Sequence, residues 1–194
     1  MKNKAIFLDR DGTINIDPGY ISDPDLIKLY PGVVEGIKLL KNKFGFKIIV
    51  ISNQSGITRG ILTSEIVDSV NNRINQILFE EETQIDAFYY CPFHPEFDSK
   101  ENCKCRKPSP EMVFKAVDDF GINLSQSFFM GDRESDILCA HNAGVRSILI
   151  GNTMTKPKII ELHNSQNSPN FICYNFLDAV EYIESKFDGE VFEN

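Results

Sequence analysis

The sequence lacks an apolar run of the roughly 20 residues that a membrane-spanning helix requires. It also lacks the long apolar stretch and small-residue cleavage site of a signal peptide, since Lys2 and Lys4 lead directly into a short apolar run. Internal repeats and low-complexity blocks are absent as well. From these absences and the length of 194 residues, we expect a single cytoplasmic domain over residues 1–194 that has no membrane partner.

Positive charge is also scarce, because 20 Lys and Arg residues face 28 Asp and Glu residues, which gives a formal net charge of -8. A surface that binds nucleic acid needs a field of the opposite sign, so we expect no nucleic-acid partner. Small phosphates are not excluded, since a few Arg or Lys residues and a divalent cation can bind an anion on an acidic protein. We expect the protein to be a monomer.

Short apolar runs rich in β-branched and aromatic residues alternate with segments of helical periodicity. The runs predict strands at Ala5–Leu8, Lys47–Ile51, Ala87–Tyr90, Phe128–Met130 and Ser147–Ile150. The predicted helices are Val33–Leu40, Ile66–Phe79, one that begins at Ser109 and Pro110, Glu134–Asn142 and Phe176–Phe187, whereas residues 152–170 are predicted to be irregular. This alternation predicts a doubly wound α/β fold with a mostly parallel sheet, in which ligands bind at the carboxyl ends of the strands.

Two carboxylates stand two residues apart where the first strand meets its loop, in the sequence DRDGT at residues 9–13. Residues i and i+2 of a strand share a face, so Asp9 and Asp11 can act on one phosphate, and Gly12 permits a tight turn directly afterwards. Asp9 is suited to be a nucleophile, and Asp11 to be an acid for the leaving oxygen and then a base for water. The alternative is an Asp-Gly turn that only ends the strand.

Further polar groups follow the later strands. Asp132 adds a third carboxylate and suggests Mg²⁺, a cation that prefers oxygen ligands. Ser52 and Asn53 offer neutral donors to phosphoryl oxygens, and Lys107 offers a compact positive charge. Each has a structural alternative, namely a turn at Ser52 and Asn53, a solvated lysine, and a helix cap at Asp132. Together they favour phosphoryl transfer on a small phosphorylated metabolite.

These motifs resemble those of the haloacid dehalogenase superfamily of phosphatases. The matching segments are DRDGT at 9–13, SNQSG at 52–56, CRKP at 105–108 and GDRESD at 131–136. Within that superfamily, DPGY at 17–20, SNQSGITRG at 52–60 and a cysteine loop are similar to heptose 1,7-bisphosphate phosphatases and the related histidinol-phosphatases. The resemblance covers residues 4–150 and implies a Rossmann-like core with a minimal cap.

The resemblance also implies roles for individual residues. Asp9 would form an aspartyl-phosphate, Asp11 would be the general acid and base, and Ser52 and Lys107 would complete the catalytic set. Mg²⁺ would be held by the Asp9 carboxylate, the Asp11 backbone carbonyl and the Asp132 carboxylate. The implied substrate contacts are Asp17, Pro18, Gly19, Tyr20, Ser52, Asn53, Gln54, Ser55, Arg106, Lys107 and Arg133. Asp136 is expected to support the site rather than to bind the metal.

Four potential zinc ligands, Cys91, His94, Cys103 and Cys105, lie within fifteen residues. Four protein ligands predict a closed structural Zn²⁺ site, and the loop 91–105 leads directly to Arg106 and Lys107. The resembled subfamily has its histidine two residues after the first cysteine, where this sequence has Phe93. The alternatives are a three-cysteine site completed by water, or reduced thiols without a metal.

The leading functional hypothesis is a Mg²⁺-dependent phosphatase that converts heptose 1,7-bisphosphate to the 1-phosphate through an aspartyl-phosphate. Histidinol phosphate is the alternative substrate, because the resembled enzymes share the active core. A polynucleotide 3'-phosphatase is disfavoured by the acidic composition. The alternative outside enzymes is a catalytically inactive, zinc-stabilised binding module.

Overall fold

Six parallel strands form one sheet in the described part of the chain, residues 2–17 and 19–187 of this computed structural model. Met1, Pro18 and residues 188–194 lie outside the described residues. The strands are β1 (Ala5–Leu8), β2 (Lys47–Asn53), β3 (Ala87–Cys91), β4 (Phe128–Gly131), β5 (Arg146–Ile150) and β6 (Phe171–Cys173). Their order across the sheet is β3-β2-β1-β4-β5-β6. This is a doubly wound order, and the predicted fold class is confirmed.

The helices of the described region are α1 (Val33–Asn42), α2 (Ser64–Glu80), α3 (Glu111–Phe120), α4 (Glu134–Ala143), α5 (Lys156–His163) and α6 (Phe176–Glu184). Thr63 caps α2 by accepting a hydrogen bond from the Ile66 backbone, whereas Pro110, not the predicted Ser109, precedes α3. The segment of α5 was predicted to be irregular and no strand was predicted at β6, so both predictions were wrong. None of the described helices is long and apolar enough to cross a membrane.

The core has two layers because side chains alternate between the faces of the sheet. Ile6 and Leu8 of β1 face one layer, and Phe7 between them faces the other. Helices α1, α2 and α6 bury their apolar stripes in the first layer, through Val33, Ile37, Leu40, Val70, Ile74, Leu78, Phe176, Val180 and Ile183. Helices α3 and α4 cover the second layer through Met112, Val113, Ala116, Cys139 and Ala140. This double cover explains why the strands read as continuous apolar runs.

From β1 at the centre of the sheet, the chain adds β2 and β3 on one side and then β4, β5 and β6 on the other. Strand β1 pairs with β2 on one side, where Phe7 lies opposite Ile49, and with β4 on the other, where Phe7 lies opposite Phe129. The connections on the two sides therefore run away from each other and leave a crevice at the carboxyl ends. The segments that begin at Asp9 and at Asp132 both enter this crevice.

Candidate active site

Asp9 lies directly after β1, with its backbone N–H donating to the Met130 carbonyl of β4 at 3.0 Å. This bond extends the β1–β4 ladder by one residue and fixes the position of the Asp9 backbone, from which the carboxylate extends. The Asp9 side chain is nearly buried, yet it borders the cleft at the carboxyl edge of the sheet. The cleft has a volume of about 330 Å³, which is enough for a small phosphorylated metabolite.

Lys107 is buried among acceptors beneath the cleft. Its Nζ lies 2.6 Å from Asp9 Oδ1, 2.7 Å from Asp136 Oδ1 and 2.7 Å from the Ile51 carbonyl. Burial disfavours its charge, but Asp136 and Asp9 outweigh burial and raise the pKa of Lys107. Asn53 holds the backbone of this lysine, because its Oδ1 accepts from Lys107 N at 3.0 Å and its Nδ2 donates to Lys107 O at 3.2 Å. Lys107 is therefore a fixed cation.

Three carboxylates, Asp9, Asp132 and Asp136, offer oxygens that all lie within 4.8 Å of one another, and we call them the acid cluster. Gly12 has φ +90°, and a Cβ at this residue would lie 2.3 Å from Asp132 Oδ2, so only glycine lets the loop pass this close. Asp132 Oδ2 accepts a hydrogen bond from Thr153 Oγ1 at 2.5 Å, whereas the buried Asp132 Oδ1 has no partner.

The acid cluster holds more negative charge than its surroundings compensate. Burial, followed by the charges of Asp136 and Asp132 and opposed by Lys107, raises the pKa of Asp9 to about 8. Burial also raises the pKa of Asp132. The unpartnered Asp132 oxygen and these raised pKa values fit a site built around a hard cation such as Mg²⁺. The Asp9 and Asp132 carboxylates predicted to bind Mg²⁺ are thus close together.

Asp11 accepts four hydrogen bonds. Arg10 donates to both carboxylate oxygens, from Nε at 3.1 Å and from Nη2 at 2.8 Å. Asn15 Nδ2 and Gln54 Nε2 donate the other two, at 3.0 and 2.8 Å. Burial opposes ionisation, but the Arg10 charge and these bonds outweigh it and lower the pKa of Asp11. The carboxylate is therefore ionised in the resting site.

All but one of the predicted contact residues line the cleft. Those that border it are Asp17, Gly19, Tyr20, Ser52, Asn53, Gln54, Ser55, Arg106, Lys107 and Arg133. Arg133 is exposed and pairs with Asp17 at 3.1 Å, and Arg106 donates to the Phe93 carbonyl at 3.2 Å. Pro18 lies outside the described residues. Arg106 and Arg133 thus line the same cleft as the buried Lys107.

The structure does not bring the four predicted zinc ligands together, and the zinc site stays a prediction. Cys91 and Cys105 are joined by a disulfide, so neither offers a thiolate. Cys103 is a free thiol, and Nδ1 of His94 accepts from the Glu96 backbone at 3.2 Å. Within residues 2–17 and 19–187, the acid cluster is the one group of three or more Asp, Glu, His or Cys side chains close enough to share a metal. The loop 91–105 is closed by a covalent bond instead.

Sequence reasoning missed three side chains of this site. Arg10 lies between the two aspartates, and its charge at the end of a buried strand was the available signal. Asn71 is a buried polar residue on the apolar stripe of α2, and its Oδ1 accepts from Arg10 Nη1 at 3.0 Å. Thr153 comes from the loop after β5, where nothing in the sequence distinguishes it from its neighbours.

Known proteins resemble this chain in sequence and in fold. A family model described as HAD-hydrolase-like matches residues 104–179. A D-glycero-D-manno-heptose-1,7-bisphosphate 7-phosphatase from Chlorobaculum tepidum is 39% identical over 91% of this chain and 92% of its own length. A D-glycero-beta-D-manno-heptose-1,7-bisphosphate 7-phosphatase from Escherichia coli is 38% identical over 94% of each chain.

The structural comparison gives the same fold. A D,D-heptose 1,7-bisphosphate phosphatase from B. bronchiseptica, solved with magnesium and phosphate, superposes with a TM-score of 0.81. The match covers 94% of this chain and 99% of that chain at 24% identity. With its doubly wound sheet, its cleft and these relatives, this chain belongs to the haloacid dehalogenase-like hydrolases and is a phosphatase, a phosphoric monoester hydrolase.

Proposed function

We propose that this phosphatase depends on Mg²⁺ and removes the 7-phosphate from D-glycero-D-manno-heptose 1,7-bisphosphate, leaving the 1-phosphate. The observation that carries the proposal is the nearly buried Asp9 carboxylate, 2.6 Å from Lys107 and beside the acid cluster at the floor of a cleft. The substrate is supported by relatives at 38–39% identity that are named for it and that align over nearly the whole chain.

The donor set supports Mg²⁺ as the cation. Asp9 and Asp132 would hold it through their carboxylates and Asp11 through its backbone carbonyl, in line with the preference of Mg²⁺ for oxygen ligands. A bound Mg²⁺ would neutralise charge on the phosphoryl oxygens and keep Asp9 ionised. The raised pKa of Asp9 is the physical reason why the nucleophile needs such a cation.

In the first step, an Asp9 carboxylate oxygen attacks phosphorus and the ester P–O bond breaks. The leaving alkoxide takes a proton from Asp11, which has to be taken up on substrate binding because the resting carboxylate is ionised. Lys107 holds Asp9 in place, and Arg106 and Arg133 bind phosphate oxygens. In the second step, water attacks the aspartyl-phosphate, Asp11 accepts a proton from it, and Asp9 is released with inorganic phosphate.

Substrate turnover tests the proposal. Phosphate release is measured with both anomers of heptose 1,7-bisphosphate and with histidinol phosphate, with Mg²⁺ and after removal of metal by EDTA. We expect Mg²⁺-dependent turnover of a heptose bisphosphate, and ³¹P NMR that shows loss of the 7-phosphate signal. Preference for histidinol phosphate would overturn the substrate, and full activity in EDTA would overturn the metal requirement.

The Asp9→Asn variant tests the nucleophile. The neutral amide cannot attack phosphorus, so we expect less than a few per cent of wild-type activity while circular dichroism stays unchanged. The control is Asp119→Asn, which removes a carboxylate remote from the cleft that accepts from the Tyr89 hydroxyl. Substantial activity in Asp9→Asn would remove Asp9 from this role.

A further inference from the structure

Arg10 is a buried charged side chain that borders the cleft, but its guanidinium nitrogens donate to protein acceptors rather than to the cleft. Its Nε and Nη2 both donate to Asp11, in the bidentate arrangement that fits a guanidinium to a carboxylate. Its third nitrogen, Nη1, donates to Asn71 Oδ1 at 3.0 Å. All three nitrogens are thus engaged by the protein, and the charge of Arg10 is directed at Asp11.

Asn71 connects this pair to a different element. It lies in α2, two turns after the helix begins, among residues that pack on the sheet, and it is 7% exposed. A polar residue in such a stripe needs a partner, and the Arg10 guanidinium is the partner that its oxygen has. Helix α2 therefore fixes the far end of Arg10, while Asp11 takes the near end.

The direction of the Asp11 carboxylate depends on this arrangement. Asp11 follows β1 in a loop, and two of its four hydrogen bonds come from Arg10. A guanidinium is planar, so fixing Nη1 also fixes the plane of the two nitrogens that hold the carboxylate. Without Asn71, Arg10 Nη1 loses this hydrogen bond. The guanidinium can then rotate, and the Asp11 carboxylate can rotate with it.

We propose that Asn71 is a positioning residue for proton transfer: it orients Arg10, which holds Asp11 in line with the leaving oxygen. The inference rests on the proposed two-step phosphatase mechanism and extends it to a residue of α2 that touches neither phosphate nor metal. In the step concerned, the ester P–O bond breaks and the proton passes from the Asp11 carboxyl to the leaving oxygen. Misplacement of Asp11 slows this transfer and leaves phosphate binding intact.

The test uses leaving groups of different basicity. A strongly basic leaving oxygen, as in a sugar phosphate or phenyl phosphate, needs a proton as it departs, whereas p-nitrophenolate leaves with little help. For Asn71→Leu we expect kcat/KM for heptose bisphosphate and for phenyl phosphate to fall about tenfold or more, because kcat/KM reports cleavage of the ester P–O bond and not the later attack of water, which all substrates share. The kcat/KM for p-nitrophenyl phosphate is expected to stay within about twofold to threefold of wild type.

Matched variants separate positioning from a merely structural role. Asn72→Leu makes the same change at the exposed next residue of α2 and should leave all three substrates unaffected. Asn71→Asp keeps an oxygen for Arg10 Nη1 and should keep kcat/KM within about threefold of wild type. If Asn71→Leu shows no cooperative thermal transition, Asn71→Ser replaces it, since serine is too short to reach Arg10 yet keeps a polar group.

Equal losses of kcat/KM for phenyl phosphate and p-nitrophenyl phosphate, or no loss for either, would overturn the positioning role. So would a failure of Asn71→Asp to keep activity. The aryl phosphate pair does not depend on the natural substrate. If wild type hydrolyses both aryl esters but no heptose bisphosphate, the proposed function fails while the selective loss at Asn71 can still be observed.

Discussion

At the scale of single residues, the carboxylates buried in the site lower the stability of the folded protein when they are ionised. Asp9 is nearly buried beside two other carboxylates, and Lys107 is the buried cation that contacts it. A carboxyl whose pKa rises on folding binds protons more tightly in the native state than in the unfolded state. The native state is therefore favoured at low pH and loses this contribution as pH rises.

The pH dependence of stability tests this charge imbalance. The pKa of Asp9 rises from 3.8 to about 8, so metal-free wild type should lose stability relative to Asp9→Asn as pH increases through that interval. Urea unfolding in EDTA at a series of pH values measures the difference between the two proteins. Addition of Mg²⁺ should reduce it. A wild type that gains stability over the variant with rising pH would show that the pKa of Asp9 is lowered instead.

Thr153 contacts Asp132, one of the proposed Mg²⁺ ligands. Its hydroxyl donates to Asp132 Oδ2, and we expect Thr153→Val to raise the Mg²⁺ concentration for half-maximal activity about tenfold. The kcat at saturating Mg²⁺ should change little, because the ligand itself remains. Thr155→Val is the control, since the Thr155 side chain makes no cap hydrogen bond at the start of α5. Equal Mg²⁺ requirements in both variants would rule out this role.

At the scale of elements, the loop 91–105 presents Arg106 and Lys107 to the cleft. The disulfide ties its last residues to the end of β3, which is paired with β2. Closing a loop of this length is worth about 3 kcal/mol by the chain-entropy relation. The disulfide therefore adds a covalent closure to the hydrogen bonds that already hold Lys107.

We expect Cys105→Ser to lower the melting temperature and to raise KM for substrate, because Arg106 loses its anchor while Asp9 is unchanged. Differential scanning fluorimetry and steady-state kinetics measure the two effects. Cys103→Ser is the matched control in the same loop, since Cys103 is a free thiol. An equal loss in Cys103→Ser would show that the three cysteines act together and would contradict the disulfide.

The sequence predicted the long, periodic elements well and the short ones poorly. Strand β2 and helix α2 have clear apolar patterns, and their predicted positions agree with the structure to within a few residues. Strand β6 has three residues, and α5 begins with Lys156-Pro157-Lys158, so neither carries a clear pattern. Their conformation depends on docking to β5 and α4.

The residues of the site likewise divide into those that the sequence predicted and those that it did not. Motif residues such as Asp9 and Asp132 were predictable because they follow strands, where parallel sheets collect ligand-binding groups. Asn71 and Thr153 were not, because their partners lie 61 and 21 residues away in the chain. The disulfide was not predicted, because ligand spacing cannot reveal that Cys91 and Cys105 bond to each other.

At the scale of the whole molecule, both core layers share one sheet. Unfolding either layer exposes apolar side chains of the same strands, so we expect one thermal transition with equal calorimetric and van 't Hoff enthalpies. Two separable transitions would contradict the predicted single domain. Light scattering in solution tests the monomer, which stays a prediction, against the chain mass of 22.0 kDa.

The central position of β1 has a consequence for how the protein is made. The Ala5 backbone bonds to Ser127, 122 residues later, just before β4 begins. At ribosomal rates, synthesis of that interval takes on the order of ten seconds, during which this apolar strand has one edge without its partner. The nascent chain thus carries Asp9, the proposed nucleophile, at the end of a strand that keeps one unpaired edge until β4 emerges.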